Sequence, residues 1–259
     1  MSLQAGLSVL ASRFLDTIFP PSCAACGQDG VWFCADCLAL IEVAKRDPCK
    51  ACGSLKNDHD CVAAYAASGG TPPTAVAHYQ LNGLCAVGYY HDPRLRKLLH
   101  GLKYQYATCL LPTVREILRR YKDLRSQPWP WVGESALALQ AVIGSPKRIR
   151  TRGFDQAEKI RDLVQRELLP WAQAVSLLER GSSVEAQADL KPGPLRQANV
   201  KNVFKIVNCR GEGLSPALPE AVVLVDDVFT TGSTMFEAAR TLKSSGVKRV
   251  YGLVLAIGA

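Results

Sequence analysis

The sequence contains no apolar run long enough to cross a bilayer, and it lacks the pattern of a secretory leader. Residues 1–19 place Leu3, Leu7, Leu10, Phe14, Leu15 and Ile18 at helical spacing, yet no basic stretch precedes them. Arg13 and Asp16 also interrupt what would be a leader's apolar segment. The expectation is an amphipathic helix over residues 1–20, stopped by Pro20 and Pro21 and packed on the body of the protein. Its polar face is not basic, which disfavours a membrane-surface role. Internal repeats are absent apart from paired cysteines. Acidic side chains are in short supply, 23 against 31 Lys and Arg, for a net charge of +8. That excess points to an anionic partner, either a polyphosphate-bearing substrate or nucleic acid, and charge alone does not separate the two. With 259 residues, 48% of them hydrophobic, the chain can bury one large core or two smaller ones.

Cysteine is plentiful. Seven of the ten cysteines fall between residues 23 and 61, mostly as C-x-x-C pairs: Cys23 with Cys26, Cys34 with Cys37, and Cys49 with Cys52. Such a pair brings two thiolates within reach of one ion, and the glycine that follows the first and third pairs permits a tight knuckle turn. Four soft ligands in a tetrahedron favour Zn²⁺, so residues 21–66 read as a zinc-binding module. Cys23, Cys26, Cys34 and Cys37 would close one site. Cys49, Cys52 and Cys61 would form part of another, with His59 the nearest fourth ligand; the plainer reading leaves His59 exposed to solvent. The same thiolate spacing leaves an iron–sulfur cluster open. Redox chemistry is disfavoured because no βαβ pattern surrounds the pairs. A closed four-cysteine site also leaves no coordination position for catalysis, so the zinc is expected to be structural. Thiols held reduced or on metal suggest a cytoplasmic protein. Cys85 and Cys109 lie on apolar segments and are expected in the core.

Residues 63–74, rich in Ala, Gly and Pro, read as a linker, and residues 75–259 as a second domain. Asn82-Gly83, within AHYQLNGLCAVGYYH, resembles a two-residue hairpin turn. Residues 94–104 predict a basic amphipathic helix, with Leu95, Leu98, Leu99 and Leu102 on one face and Arg94, Arg96, Lys97 and Lys103 on or near the other. Those cations form either a solvated face or a phosphate contact. Further helices are expected over 108–121 and 158–169, and strands over 137–144, 203–207 and 249–257. Trp129 and Trp131 sit in a proline-rich loop. The loop after the 137–144 strand carries Lys147, Arg148, Arg150 and Arg152, four cations within six residues. It reads as a clamp for a diphosphate, against the alternative of a solvated loop. Residues 181–194 form a long polar loop. Alternating helices and apolar strands give an α/β domain with a mostly parallel sheet.

The most informative stretch is residues 221–241, AVVLVDDVFTTGSTMFEAART. Its continuous apolar start predicts a strand buried on both faces, and Asp226 and Asp227 then stand where that strand leaves the sheet. Thr230, Thr231, Gly232, Ser233 and Thr234 form a small polar turn ahead of a helix carrying Met235, Phe236, Ala239 and Leu242. Free N–H groups at a helix start, a permissive glycine and added hydroxyls suit a phosphate. Two adjacent carboxylates would hold sugar hydroxyls or Mg²⁺. The plainer alternative is an ordinary strand-to-helix turn capped by threonine.

The segment VVLVDDVFTTGST resembles the phosphoribosyl diphosphate (PRPP) loop of type I phosphoribosyltransferases. The resemblance implies that Asp226 and Asp227 bind the ribose hydroxyls and that residues 230–234 hold its 5′-phosphate. Purine-salvage members usually carry Asp where Thr230 stands, which argues against hypoxanthine-guanine chemistry. The cysteine-rich start, the RGFDQA segment and this loop together resemble the competence protein F (ComF) family over nearly the whole chain. The likeness extends to residues 19–23 (FPPSC) and 101–104 (GLKY). Two departures stand out: Asp155 where the family generally has Asn, and His59 with Cys61 in place of another clear C-x-x-C. The family implies a type I phosphoribosyltransferase-like fold, Mg²⁺-dependent PRPP binding and, in some bacteria, a role in DNA uptake during natural transformation. An enzyme would set Arg148, Arg150 or Arg152 with Mg²⁺ against the charge of departing diphosphate. A single-stranded DNA-binding accessory protein would use its basic charge with aromatics such as Tyr104 and Tyr106. A PRPP-sensing regulator would keep the loop without turnover.

Overall fold

The computed structural model describes residues 20–50, 54–55, 81–103, 107–181, 203–207 and 218–258. The expected helix over 1–20, the linker over 63–74 and the greater part of the polar loop over 181–194 lie outside these residues. In chain order the elements are α1 (Ala35–Ala39), β1 (Gly83–Tyr89), α2 (Pro93–Leu102), α3 (Ala107–Leu124), β2 (Leu137–Ala141), α4 (Pro146–Arg152) and α5 (Gln156–Glu167). They continue with β3 (Gln173–Val175), β4 (Leu178–Arg180), β5 (Phe204–Ile206), β6 (Ala221–Phe229), α6 (Ser233–Ser244) and β7 (Arg249–Ile257). Five strands form one sheet in the order β1-β7-β6-β2-β3, every neighbouring pair parallel. β4 and β5 form a separate antiparallel pair.

A parallel sheet needs crossovers that cover both faces, so its inner strands become apolar throughout. Val223, Val225, Leu139 and Leu253 pack on one side against α2, α3 and α5. Val222, Leu224, Ala138 and Val254 pack on the other against α6 and the β4–β5 pair. The period-2 alternation is intact; both of its faces are simply dry.

Helix α2 shows how local sequence sets an element's place. Leu95, Leu98, Leu99 and Leu102 form its buried stripe. Pro93 opens it, where a missing N–H costs nothing. Asp92 caps it, with Oδ1 accepting from the Arg94 and Leu95 amides at 2.8 and 3.3 Å and Oδ2 accepting from the Glu42 amide at 2.8 Å.

Four expectations need correction. Asn82-Gly83 is not a hairpin turn, because β1 begins at Gly83 and runs parallel to β7. Asn82 pairs instead with Val250 through its own N–H and Oδ1. The glycine serves close packing, since a Cβ there would lie 2.4 Å from Pro130 Cβ. The acidic pair lies within β6, which continues to Phe229 along β7 after its pairing with β2 ends at Val225. The cationic segment is a short helix, α4, instead of a loop. Cys85 is buried as expected, but Cys109 lies on the exposed side of α3.

At the opposite edge of the sheet, Glu134 closes the bottom of β7. Its Oε1 accepts from Arg249 Nε at 2.5 Å and from the Tyr251 hydroxyl at 2.6 Å, and its Oε2 accepts from Arg249 Nη2 at 2.7 Å. The Arg249 hydrogen bond outweighs burial and, with Tyr251, holds the Glu134 carboxyl below its ordinary value. A depressed carboxylate stabilises the fold above its unfolded value and loses that contribution as pH falls through the folded one. Glu134→Gln is therefore expected to lower the melting temperature at pH 7 by several degrees. The difference from wild type should shrink as pH falls below the ordinary carboxylate range, where the native carboxyl takes up its proton. Thermal melts across pH check this; a difference that persists unchanged in acid would refute it.

Candidate functional site

The Sγ atoms of Cys23, Cys26, Cys34 and Cys37 all lie within 4.8 Å of one another. Thiolates around a tetrahedral zinc with bonds of about 2.3 Å sit about 3.8 Å apart, and Cys26 and Cys34 Sγ are separated by 3.7 Å. The knuckle forms because Gly27, at φ 84°, turns its N–H onto the Cys23 carbonyl at 2.8 Å. Cys34 then caps α1, its sulfur accepting from the Cys37 amide. Burial pushes the Cys23 thiol up, but donors from the Cys34, Cys26 and Ala25 backbone outweigh it and bring it to about 6. Burial and then hydrogen bonding among the sulfurs push Cys37 up to about 12. Four sulfurs in this array fit Zn²⁺, whose charge would hold them as thiolates. Of the second expected set only Cys49 is among the described residues, its N–H on the Ser54 carbonyl at 2.8 Å. Cys52, His59 and Cys61 lie outside them.

This module is tied to the sheet domain. Lys97 on α2 donates to the Ala25 carbonyl at 2.6 Å. Arg120 on α3 donates to the carbonyls of Leu38, Ala39 and Ile41 at the end of α1, where orphan acceptors need partners.

The second constellation lies at the carboxyl edge of the sheet. β2 leads to α5 on one face and β6 leads to α6 on the other, so these adjacent strands part there and leave a crevice. Asp226 and Asp227 stand at its rim. Burial, and then the charges of Asp227 and Asp155, hold the Asp226 carboxyl well above its ordinary range. Asp226 Oδ1 accepts from the Asp227 amide at 2.8 Å, and Asp227 Oδ2 meets Lys103 Nζ at 3.2 Å. The edge thus carries a protonation-prone acid beside an ion-paired one, and both have oxygen lone pairs for hydroxyls or a hard cation.

Beyond the strand, Thr230 and Thr231 are exposed and Gly232 is buried at φ 71°. A Cβ at Gly232 would lie 2.4 Å from the Phe229 ring and 2.6 Å from Phe236, so both space and backbone demand glycine. Thr231 Oγ1 and Ser233 Oγ are hydrogen-bonded at 2.8 Å, and Thr231 Oγ1 also accepts from the Ser233 amide at 3.4 Å. Ser233 and Thr234 are half-buried on its first turn. A hydroxyl pair at a helix N-terminus suits an anion's oxygens.

After β2, α4 carries Lys147 and Arg150 exposed and Arg152 half-buried; Arg148 lies on the same helix. Gly153, at φ 78°, ends it. Asp155 fastens this segment, with Oδ1 accepting from the Ala157 amide and Oδ2 from the Gly144 amide, each at 2.8 Å. Both oxygens accept, which an asparagine, with one oxygen and an NH₂ donor, could not reproduce.

Lys103 was legible only as one of several cations near α2, and its tie to Asp227 depends on packing. Lys97, expected on a solvated or phosphate-binding face, instead grips the zinc module. Cys37→Ser should lower bound zinc by one equivalent per chain, measured by atomic emission on the purified protein, and should lower the melting temperature. Unchanged zinc content would remove these four cysteines as its ligands.

Residues 14–66 match the double zinc ribbon domain family. Over 183 residues the chain is 35% identical to the competence protein F of Haemophilus influenzae, an alignment that spans 66% of this chain and 71% of that relative. No helix among the described residues is long and apolar enough to cross a membrane. With a mostly parallel α/β sheet behind a zinc-binding cysteine module, the chain belongs to the competence protein F family.

Proposed function

We propose that the protein binds PRPP with Mg²⁺ at the carboxyl edge of β6 and β2 and transfers its phosphoribosyl group to an acceptor. The observation that carries this reading is the carboxyl edge where β2 and β6 part: Asp226 and Asp227 on the end of β6, the hydroxyl-lined start of α6 after it, and the cationic helix α4 that follows β2. Asp226 and Asp227 orient the ribose hydroxyls. Thr230, Thr231, Gly232, Ser233 and Thr234 enclose the 5′-phosphate, and Lys147, Arg148, Arg150 and Arg152 face the diphosphate. The Asp226 and Asp227 oxygens are hard donors of the kind Mg²⁺ prefers, and the ion, when bound, neutralises phosphate charge. Lys103 leaves Asp227 as the sugar arrives, or shares it, and so sets the charge of the pair. Catalysis on this reading is positioning and electrostatic stabilisation of a cationic sugar carbon, with no protein nucleophile.

The organisation that goes with it is an amphipathic helix over 1–20, a zinc module over 21–66 and a phosphoribosyltransferase-like domain over 75–259. Cys49, Cys52, His59 and Cys61 hold a second zinc ion in that module. Competence, named for the Haemophilus relative, extends to this chain as a part in DNA uptake.

Calorimetry with PRPP and Mg²⁺ tests the site. Binding is expected for the wild-type protein and a loss of at least about ten-fold, 1.4 kcal/mol, for Asp226→Asn/Asp227→Asn. No Mg²⁺-dependent binding would sink the reading, whether the protein turns PRPP over or only senses it. Diphosphate release with candidate acceptors separates those two cases. Direct binding of single-stranded DNA ranks second, because Lys97, Lys103, Arg115 and Arg119 already engage partners within the chain. If DNA does bind through its phosphates, affinity must fall steeply across a salt series; a flat response contradicts that mode.

A further inference from the structure

The four-cysteine site is assembled from two short pieces of chain, and each piece is held from outside by a cation of the sheet domain. The site's own core is small: among the described residues Cys23, Cys34 and Cys37 are buried in it, with Ala25 and Phe33 packed against them. A cluster of that size does little to fix four ligands, which is why small modules lean on a metal or on a neighbour. Within the module, the Ala24 amide donates to the Trp32 carbonyl at 3.0 Å and the Cys34 amide to the Cys23 sulfur at 3.3 Å. The sheet domain adds the remaining ties. Lys97 Nζ holds the Ala25 carbonyl, which belongs to the peptide group leading into Cys26, so the first knuckle is oriented from α2. Arg120 gathers the Leu38, Ala39 and Ile41 carbonyls at the end of α1, the helix that Cys34 caps and that carries Cys37. The second knuckle is therefore oriented from α3. Helices α2 and α3 share one apolar core, so both cations stand on a common base.

Apolar contact alone does not fix the two knuckles. Trp32, Phe33 and Leu38 pack against the core of the sheet domain, but such contacts are non-directional, whereas a hydrogen bond sets an angle. Between the knuckles and α2 a groove of about 430 Å³ remains, so the seam there is not closed by packing. Charge acts in the same direction. Four thiolates around one Zn²⁺ carry an excess of negative charge. The groove sets Arg94 and Lys97 opposite Cys26, Cys34 and Cys37, with Asp36 the one carboxylate on its walls among the described residues.

We propose that Lys97 and Arg120 are positioning residues of the zinc site: from α2 and α3 they orient the two knuckles around one ion, and zinc affinity depends on this clamp as well as on the four thiolates. Groups that orient a metal's ligands from outside typically change its affinity about ten-fold or more. The dependence is reciprocal. Zinc, by binding the assembled knuckles, strengthens the docking of the module on α2 and α3 by the same factor.

The test measures zinc affinity of the full-length protein by competition with a chromophoric chelator, well below the melting temperature. The zinc of this site is the fraction that Cys37→Ser lacks. Lys97→Met/Arg120→Met should hold that fraction at least about ten-fold more weakly than wild type, and each single variant should fall between the two. Lys97 is exposed and Arg120 half-buried, so neither change opens the core. Lys97→Arg, which keeps a charged donor, should hold zinc more tightly than Lys97→Met. Glu134→Gln is the comparator, because it weakens the fold through Arg249 and Tyr251, away from the module. It should bind zinc as wild type does. Wild-type affinity in the double variant overturns the clamp. An equal loss in Glu134→Gln also overturns it, by tying zinc retention to global stability alone.

Discussion

The structure depends on one constraint: a parallel sheet covered on both faces has no dry place for a charge except its edges. β6 obeys it residue by residue. Ala221 to Val225 lie between β2 and β7 and are fully enclosed, and the first carboxylate appears where the β2 partner runs out. Burying Asp226 any earlier in the strand would set an unpaired charge in the core, at a cost of several kcal/mol or more. Placed at the edge, it costs a raised protonation constant instead of an unfolded sheet. The same geometry explains the company it keeps. Strands that part to opposite faces leave the crevice, and the chain ends around it bring Lys103, Asp155 and the Gly232 turn to the acidic pair.

Helix α2 links this edge to the zinc-binding module. Its capping Asp92 accepts three amide hydrogens, one of them from Glu42 on the module's side of the chain. Lys97 in its middle holds the Ala25 carbonyl of the knuckle, and Lys103 at its end meets Asp227. The ten residues of α2 are all that separates the two groups of polar contacts. A basic helix face that would serve a polyanion in isolation is here divided between a metal module and an acidic pair. Most of the stability comes from the leucine stripe beneath, since exposed ion pairs contribute little each.

The features written most clearly in the sequence were those governed by neighbours a few residues away. Four cysteines at knuckle spacing, the leucine stripe of α2, the apolar start of β6 and the final strand at Arg249–Ile257 could all be read directly, because ligand reach, helical pitch and strand pleat are short-range properties. Pairing across long separations could not be read. Asn82-Gly83 has a turn's composition, yet β1 chose a parallel partner at the far end of the chain, and the glycine answers to Pro130. Cys109 has apolar neighbours in sequence but faces outward, because the phase of a helix on its core is set by what packs against it.

The candidate site divides along the same line. Local sequence determined its ingredients: two adjacent acids, a hydroxyl-rich turn whose glycine must take a left-handed backbone, and a run of cations after a strand. Only the tertiary structure decided their arrangement. It placed Lys103 on Asp227, spent both oxygens of Asp155 on backbone amides and buried the Gln156 amide with no hydrogen-bond partner among the described residues. The reason is that a side chain's partners are fixed by strand order and helix crossover, which no window of neighbouring residues contains.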